Sequence, residues 1–179
     1  VSQLDVQKII GMMVGRSIDA IYPERSVAPR PEIVLSVEGL SQPGVAEDIT
    51  FRIHAGEVVG LAGLMGSGRS ELARMLFGLD RFARGSIEVD GRPLVDPTPA
   101  SAMAAGVAFL TEDRRGEGLI MDFSISENMV LASLSAVAGR FGLIDRDRIS
   151  AAAGEMGRAV HLSTTRVDGT PAKQLSGGN

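Results

Sequence analysis

The 179-residue sequence contains no cysteine. Disulfides and thiolate metal sites are excluded, and the composition fits a reducing compartment. Histidine is scarce as well: His54 and His161 are the only two, far apart along the chain. Metal sites generally need more ligands than that, so no histidine-based site is expected. A basic excess is also missing. With 18 Lys and Arg against 22 Asp and Glu, the formal net charge is −4. General nucleic-acid binders show the opposite balance, and no nucleic-acid partner is expected. No run approaches the ~20 consecutive apolar residues of a membrane span. The first residues, with Asp5 and Lys8 among apolar neighbours, do not read as a signal peptide. Any membrane role must then come through a partner.

What is present is a globular composition, 44% hydrophobic and 22% charged, long enough for one α/β domain and a short attached segment. Ser2 to Arg16 reads as a helix, with Ser2 and Asp5 as a cap pair and Leu4, Ile9, Met12 and Met13 on a loose apolar face. Tyr22-Pro23, Pro29 and Pro31 then mark a linker. The main domain is expected to begin near Glu32. Ile33–Val37 and Ile49–Ile53 have strand character on either side of a turn at Pro43-Gly44. Glu57 to Ala62 is the continuous apolar run of a strand buried in a central sheet, and Val107 to Leu110 reads the same way. Between them lie a helix over Glu71–Leu79 (Leu72, Met75, Leu76 and Leu79 on one face), a strand at Ser86 closed by Asp90-Gly91, and a short helix from Ser101 to Ala105. Helices are expected again at Ser126–Leu134 and Arg146–His161.

Many of the 22 glycines sit in turn-like stretches, and one stretch carries chemistry. Gly63-Leu64-Met65-Gly66-Ser67-Gly68-Arg69-Ser70 fits the phosphate-binding pattern G-x-x-x-x-G-K-[ST] except at the lysine, where Arg69 stands. Glycines let backbone N–H groups turn towards phosphate oxygens, and the following helix offers its positive end. The Ser70 hydroxyl is placed to reach Mg²⁺. A guanidinium is a broad planar fork rather than a slim point charge, so Arg69 is expected to poise the γ-phosphate poorly. The bland alternative is a glycine-rich strand-to-helix turn with no ligand.

The sequence closes on Leu175-Ser176-Gly177-Gly178-Asn179, 113 residues after Gly63 when counted to Ser176. With the loop, this tail makes the chain resemble the ATP-binding subunit of simple-sugar (ribose, xylose or galactose type) ABC importers, in which one polypeptide holds two nucleotide-binding domains. It is most similar to the second of them. The resemblance rests on Met13-Val14-Gly15-Arg16, Gly60 to Glu71, Thr111 to Leu119, Ser124 to Met129 and the terminal LSGGN. It implies an α/β phosphate-loop domain of the ABC type, incomplete, with an antiparallel β subdomain and a small helical subdomain over roughly 112–179. Residues 1–31 would be the helix and linker that follow a preceding nucleotide-binding domain, and 32–179 part of the second.

The resemblance also implies roles. Gly63, Gly66, Ser67, Gly68, Arg69, Ser70 and Glu71 would face ATP, with Mg²⁺ at Ser70. Ser176, Gly177 and Gly178 would contact the γ-phosphate of an ATP held by the first domain of the same polypeptide. Membrane-spanning permease subunits would be direct partners and a sugar-binding protein an indirect one, at the cytoplasmic face of a bacterial inner membrane. Three departures point to a degenerate site on this domain: Arg69, Glu112 where a glutamine usually stands, and no aromatic residue for adenine in Ser41-Gln42-Pro43-Gly44. No catalytic residue is expected in this chain, since the acidic motif and the switch histidine would follow the signature. The sheet would lack the central strand that carries the acidic motif. Alone, the chain would hydrolyse ATP negligibly and act as a module that donates its signature and relays motion. An unrelated phosphate-loop kinase or GTPase is disfavoured by the LSGGN tail and by the lack of an Asn-Lys-x-Asp stretch.

Overall fold

A computed structural model describes residues 28–139, 142–160, 162 and 166–175. The expected N-terminal helix, most of the linker, His161 and Ser176–Asn179 lie outside these residues. The chain divides into two compact units, Val1–Ala108 and Phe109–Asn179.

The first unit is built on a four-stranded sheet of order β2-β1-β3-β4, all pairs antiparallel, from β1 (Ile33–Gln42), β2 (Ala46–His54), β3 (Arg84–Val89) and β4 (Arg92–Pro93). Strict alternation cannot bury both Val37 and Leu40, which are three residues apart. A register shift in both ladders of β1 supplies the extra residue, and both side chains end fully buried. The same irregularity carries Ser41 inward. Its hydroxyl donates to the Gly39 carbonyl and accepts the Asp48 N–H, so no polar group is stranded. Helix α1 (Arg69–Phe77) lays Leu72 and Met75 on this face, and with Val37, Leu40 and Ile87 they form the core of the unit. The helix stops at Gly78, and the Arg74 guanidinium holds Asp80 at 2.8 Å and 3.3 Å to fix the turn that follows. Leu79, expected on the helix face, therefore lies past the helix end and is exposed. A second helix, α2 (Pro99–Ala104), starts from a capping box between Thr98 and Ser101.

Two sequence expectations fail here. Glu57–Ala62 and Val107–Leu110 form no strand. Val58 is 86% exposed and Leu110 94% exposed. A parallel-type strand needs hydrogen-bonded neighbours and covered faces, and the four-stranded sheet takes in neither segment. An apolar pattern alone does not make a strand.

The second unit is helical. Helix α3 (Ile125–Val130) leads into a 3₁₀ turn at Leu131–Ser133 and then into α4 (Leu134–Val137), where one continuous helix was expected. Helix α5 (Arg146–Ala159) is capped by Asp145, whose carboxylate accepts the N–H groups of Asp147 and Arg148. Small residues let α3 and α5 approach closely: Ala153 packs with Ile125 and Val167, while Ile149 packs with Val130 and Val137.

Candidate functional site

The glycine-rich loop follows β2 after a turn in which Glu57 accepts the His54 backbone N–H at 2.7 Å and approaches its ring nitrogen at 3.1 Å. Within the loop the Ser67 N–H returns to the Leu64 carbonyl. Gly66 (φ +77°) and Gly68 (φ +83°) adopt the left-handed conformation that other residues avoid. Close approach is equally restrictive. A Cβ at Gly63 would lie 2.5 Å from the Ser67 hydroxyl, and one at Gly68 would lie 2.5 Å from the Val45 carbonyl oxygen. At Gly63 and Gly68 the curl leaves room for backbone alone.

It opens into α1 through Gly68, which provides no side-chain cap, and the Leu72 N–H takes the Gly68 carbonyl. The N-cap residue thus supplies no side-chain hydrogen bond to the positive end of the helix, the feature an anion uses. Ser67, Arg69, Ser70 and Glu71 are exposed around it. The Arg69 guanidinium bends back so that Nη2 lies 3.5 Å from the Leu64 carbonyl, a long contact that keeps the cation over the loop. These residues fit a phosphate chain: glycine-shaped backbone, an uncapped helix start, a cation and a hydroxyl. The Ser70 hydroxyl is the group placed for Mg²⁺, and no group of three His, Cys, Asp or Glu side chains gathers for a metal among the described residues.

Sequence reasoning missed Val45. Nothing in Pro43-Gly44-Val45 signals that its carbonyl closes on Gly68, because the contact crosses 23 positions. No aromatic residue is found in that stretch, and the β1–β2 turn presents an aliphatic side chain instead.

Glu112 belongs to the second unit, where it is exposed beside a wide turn over Arg114–Gly118. Asp113 organises that turn by accepting the N–H groups of Arg115 and Gly116, each at 3.0 Å. The charged run is therefore a shaped loop rather than a merely solvated one.

The approach to the terminal motif is anchored within the same unit. Main-chain hydrogen bonds join it to the start of α3: Ile125 N–H to the Thr170 carbonyl, Ser126 N–H to Val167, Ala172 N–H to Phe123 and Lys173 N–H to Met121. Leu175 packs against the Ile125, Ala153 and Val167 cluster. Lys173 pairs with Asp122 at 2.8 Å and holds its carboxyl below the ordinary aspartate value. Glu127 is lowered by the Ser124 backbone N–H and then by the Ser124 hydroxyl; Asp168 is lowered by the Ser150 hydroxyl and then by Ser126. A groove of about 620 Å³ runs beside these groups. Its walls include Phe123, Leu131, Leu134 and Ile144, with Glu127, Arg146 and Asp168 among its polar residues. No helix among the described residues is long and apolar enough to cross a membrane.

Flanking antiparallel sheet, phosphate-type loop and small helical unit together have the fold of ATP-binding cassettes. A nucleotide-free ATP-binding cassette from an ABC transporter superposes with a TM-score of 0.62 at 16% identity, over 80% of this chain and 59% of that one. A cassette bound to ADP and Pi in a post-hydrolysis state gives 0.61 at 20% identity, over 79% and 63%. The ABC transporter family model matches residues 46–179, and the chain belongs to that family. Among curated relatives, a ribose import ATP-binding protein of Rubrobacter xylanophilus is 44% identical over 96% of this chain and 34% of its own length. One of the same name from Streptomyces coelicolor is also 44% identical, over 96% and 33%. A putative ribose/galactose/methyl galactoside import ATP-binding protein of Agrobacterium fabrum is 41% identical over 99% and 35%. The chain spans about a third of the length of these relatives.

Proposed function

We propose that the chain is part of the ATP-binding subunit of an ABC importer for ribose or a related monosaccharide, and that it is a coupling and signature-donating module with a weakened nucleotide loop. Support for the importer comes from 41–44% identity, over nearly the whole chain, to proteins named for ribose and galactose import. Support for the weakened loop comes from Arg69. A guanidinium reaching the Leu64 carbonyl occupies space over the curl that a lysine would enter more narrowly. ATP, when bound, supplies the free energy of its phosphoanhydride bond. Gly63, Gly66, Ser67, Gly68 and Glu71 would surround its phosphates, Arg69 would hold them from outside, and Ser70 would face Mg²⁺.

Ser176, Gly177 and Gly178, outside the described residues, would serve the ATP of a first nucleotide-binding domain on the same polypeptide. The second unit would contact membrane-spanning permease subunits through exposed apolar residues such as Phe123, Leu131 and Leu134, and through them serve a sugar-binding protein. Its place is then the cytoplasmic face of a bacterial inner membrane. Glu112 would stand at the position that senses Mg²⁺ and water, without a glutamine's amide.

A calorimetric titration with Mg-ATP tests the loop. The expected result is weak binding with no turnover by the native chain, and about tenfold tighter binding by Arg69→Lys, a difference of about 1.4 kcal/mol. Turnover by the chain alone, or equal affinity in both proteins, would refute the weakened-loop assignment.

A further inference from the structure

We propose that Asp168 is a positioning residue for the signature segment, locking the run Val167–Leu175 that precedes it to α3 and α5. This rests on the signature role assigned above. A helix begins with amide groups that have no intrahelical acceptor. In α3 two of them, on Ile125 and Ser126, are satisfied by the Thr170 and Val167 carbonyls at 3.0 Å each, and a third, on Glu127, by the Ser124 hydroxyl at 3.2 Å. The run before the signature is therefore itself the cap of α3. Ala172 and Lys173 continue the contact with N–H groups on the Phe123 and Met121 carbonyls at 2.9 Å and 3.1 Å.

Those bonds join the run to one helix. Val167 and Leu175 pack against Ala153 of the other, and Asp168 adds a polar tie to it. Ser150, on α5, donates its hydroxyl to the Asp168 carboxylate at 2.6 Å, and Ser126 hydrogen-bonds the same carboxylate. Ser126 is buried, and its hydroxyl lies 3.1 Å from that of Ser124, the cap residue that donates to the Glu127 carboxylate and accepts the Glu127 N–H. One carboxylate thus ties the first turn of α3, through Ser126, to α5, through Ser150. A short hydrogen bond to an ionised group is among the stronger polar contacts. A two-helix anchor also restrains rotation of the run about α3, which main-chain bonds to one helix leave open. Phosphate contacts tolerate displacement of only about 0.5 Å, so that restraint is what a signature donor needs.

Hydrogen exchange on the 179-residue chain tests the lock without nucleotide. Asp168→Ala should speed exchange at Ala172, Lys173 and Leu175 about tenfold, leaving Ala153 inside α5 unchanged. Asp168→Asn, which keeps one acceptor oxygen, should fall between. Ser150→Ala removes a single hydroxyl and serves if Asp168→Ala does not fold. In the longer polypeptide carrying this chain, Asp168→Ala should raise the KM for ATP about fivefold with kcat within about twofold, the pattern of lost ground-state binding. Unchanged exchange at the three amides would overturn the proposal. So would equal acceleration throughout α5, which marks general loosening, or local acceleration with no change in KM. A wild-type polypeptide that neither binds nor hydrolyses ATP would overturn the signature role beneath it; the exchange data need no nucleotide and tell the two failures apart.

Discussion

Gly66 and Gly68 share a left-handed backbone but differ in what surrounds them. A Cβ at Gly66 meets nothing within 4 Å, whereas one at Gly68 would strike the Val45 carbonyl at 2.5 Å. Gly66→Ala should therefore cost only the conformational penalty, about 1 kcal/mol. Gly68→Ala should cost roughly 2–3 kcal/mol, because the β1–β2 turn must also move. Urea denaturation midpoints of the two variants check the difference. The spacing of Gly63, Gly66, Gly68 and Ser70 was legible in the sequence because a phosphate-type curl restricts residue type position by position. Val45 was not, since the contact depends on how a hairpin lies beside a helix start.

Among the elements, α3 shows how a local signal can be present and still go unread. Ser124-Ile125-Ser126-Glu127 has the spacing of a capping box, and the structure begins the helix there rather than at Ser126. Ser124→Ala should destabilise the second unit by about 1 kcal/mol, seen as a lower denaturation midpoint. Glu127, Asp168 and Asp122 all have folded-state values below the ordinary carboxylate range of about 4. Between the folded and unfolded values the unfolded chain binds more protons. The stability they contribute is thus fully present above about pH 4 and is lost as pH falls through the depressed folded values. Denaturation midpoints recorded from pH 6 to pH 3 should be flat and then fall, with Glu127→Gln flattening the fall. β1, β2, β3 and α5 were readable from periodicity and turn residues. Glu57–Ala62 and Val107–Leu110 were misread because an apolar run reports a capacity for burial, and burial takes neighbours.

Across the whole molecule, motif order did more than composition. Loop, charged turn and LSGGN in sequence pointed to the ABC family that residues 46–179 match, while charge and cysteine content only removed alternatives. The same scale exposes a liability. Val58, Leu64 and Met65 in the first unit and Leu110 in the second are between 85% and 99% exposed, and exposed apolar side chains favour interaction or aggregation. The chain should bind an apolar dye such as ANS in its folded state. Val58→Lys with Leu110→Lys should lower that fluorescence without lowering the urea midpoint, since neither side chain is buried.

Because the first amides of α3 are satisfied by residues near Pro171, which bridges to Ser124, the helix leaves the ribosome with those amides held only by water. At about 5–20 residues per second, the nascent chain waits roughly 2–9 s between emergence of Ser124 and of Pro171. Throughout that interval Ile125 lacks the Val167 and Leu175 side chains that complete its core, which makes this the stretch of synthesis when a chaperone has most to hold.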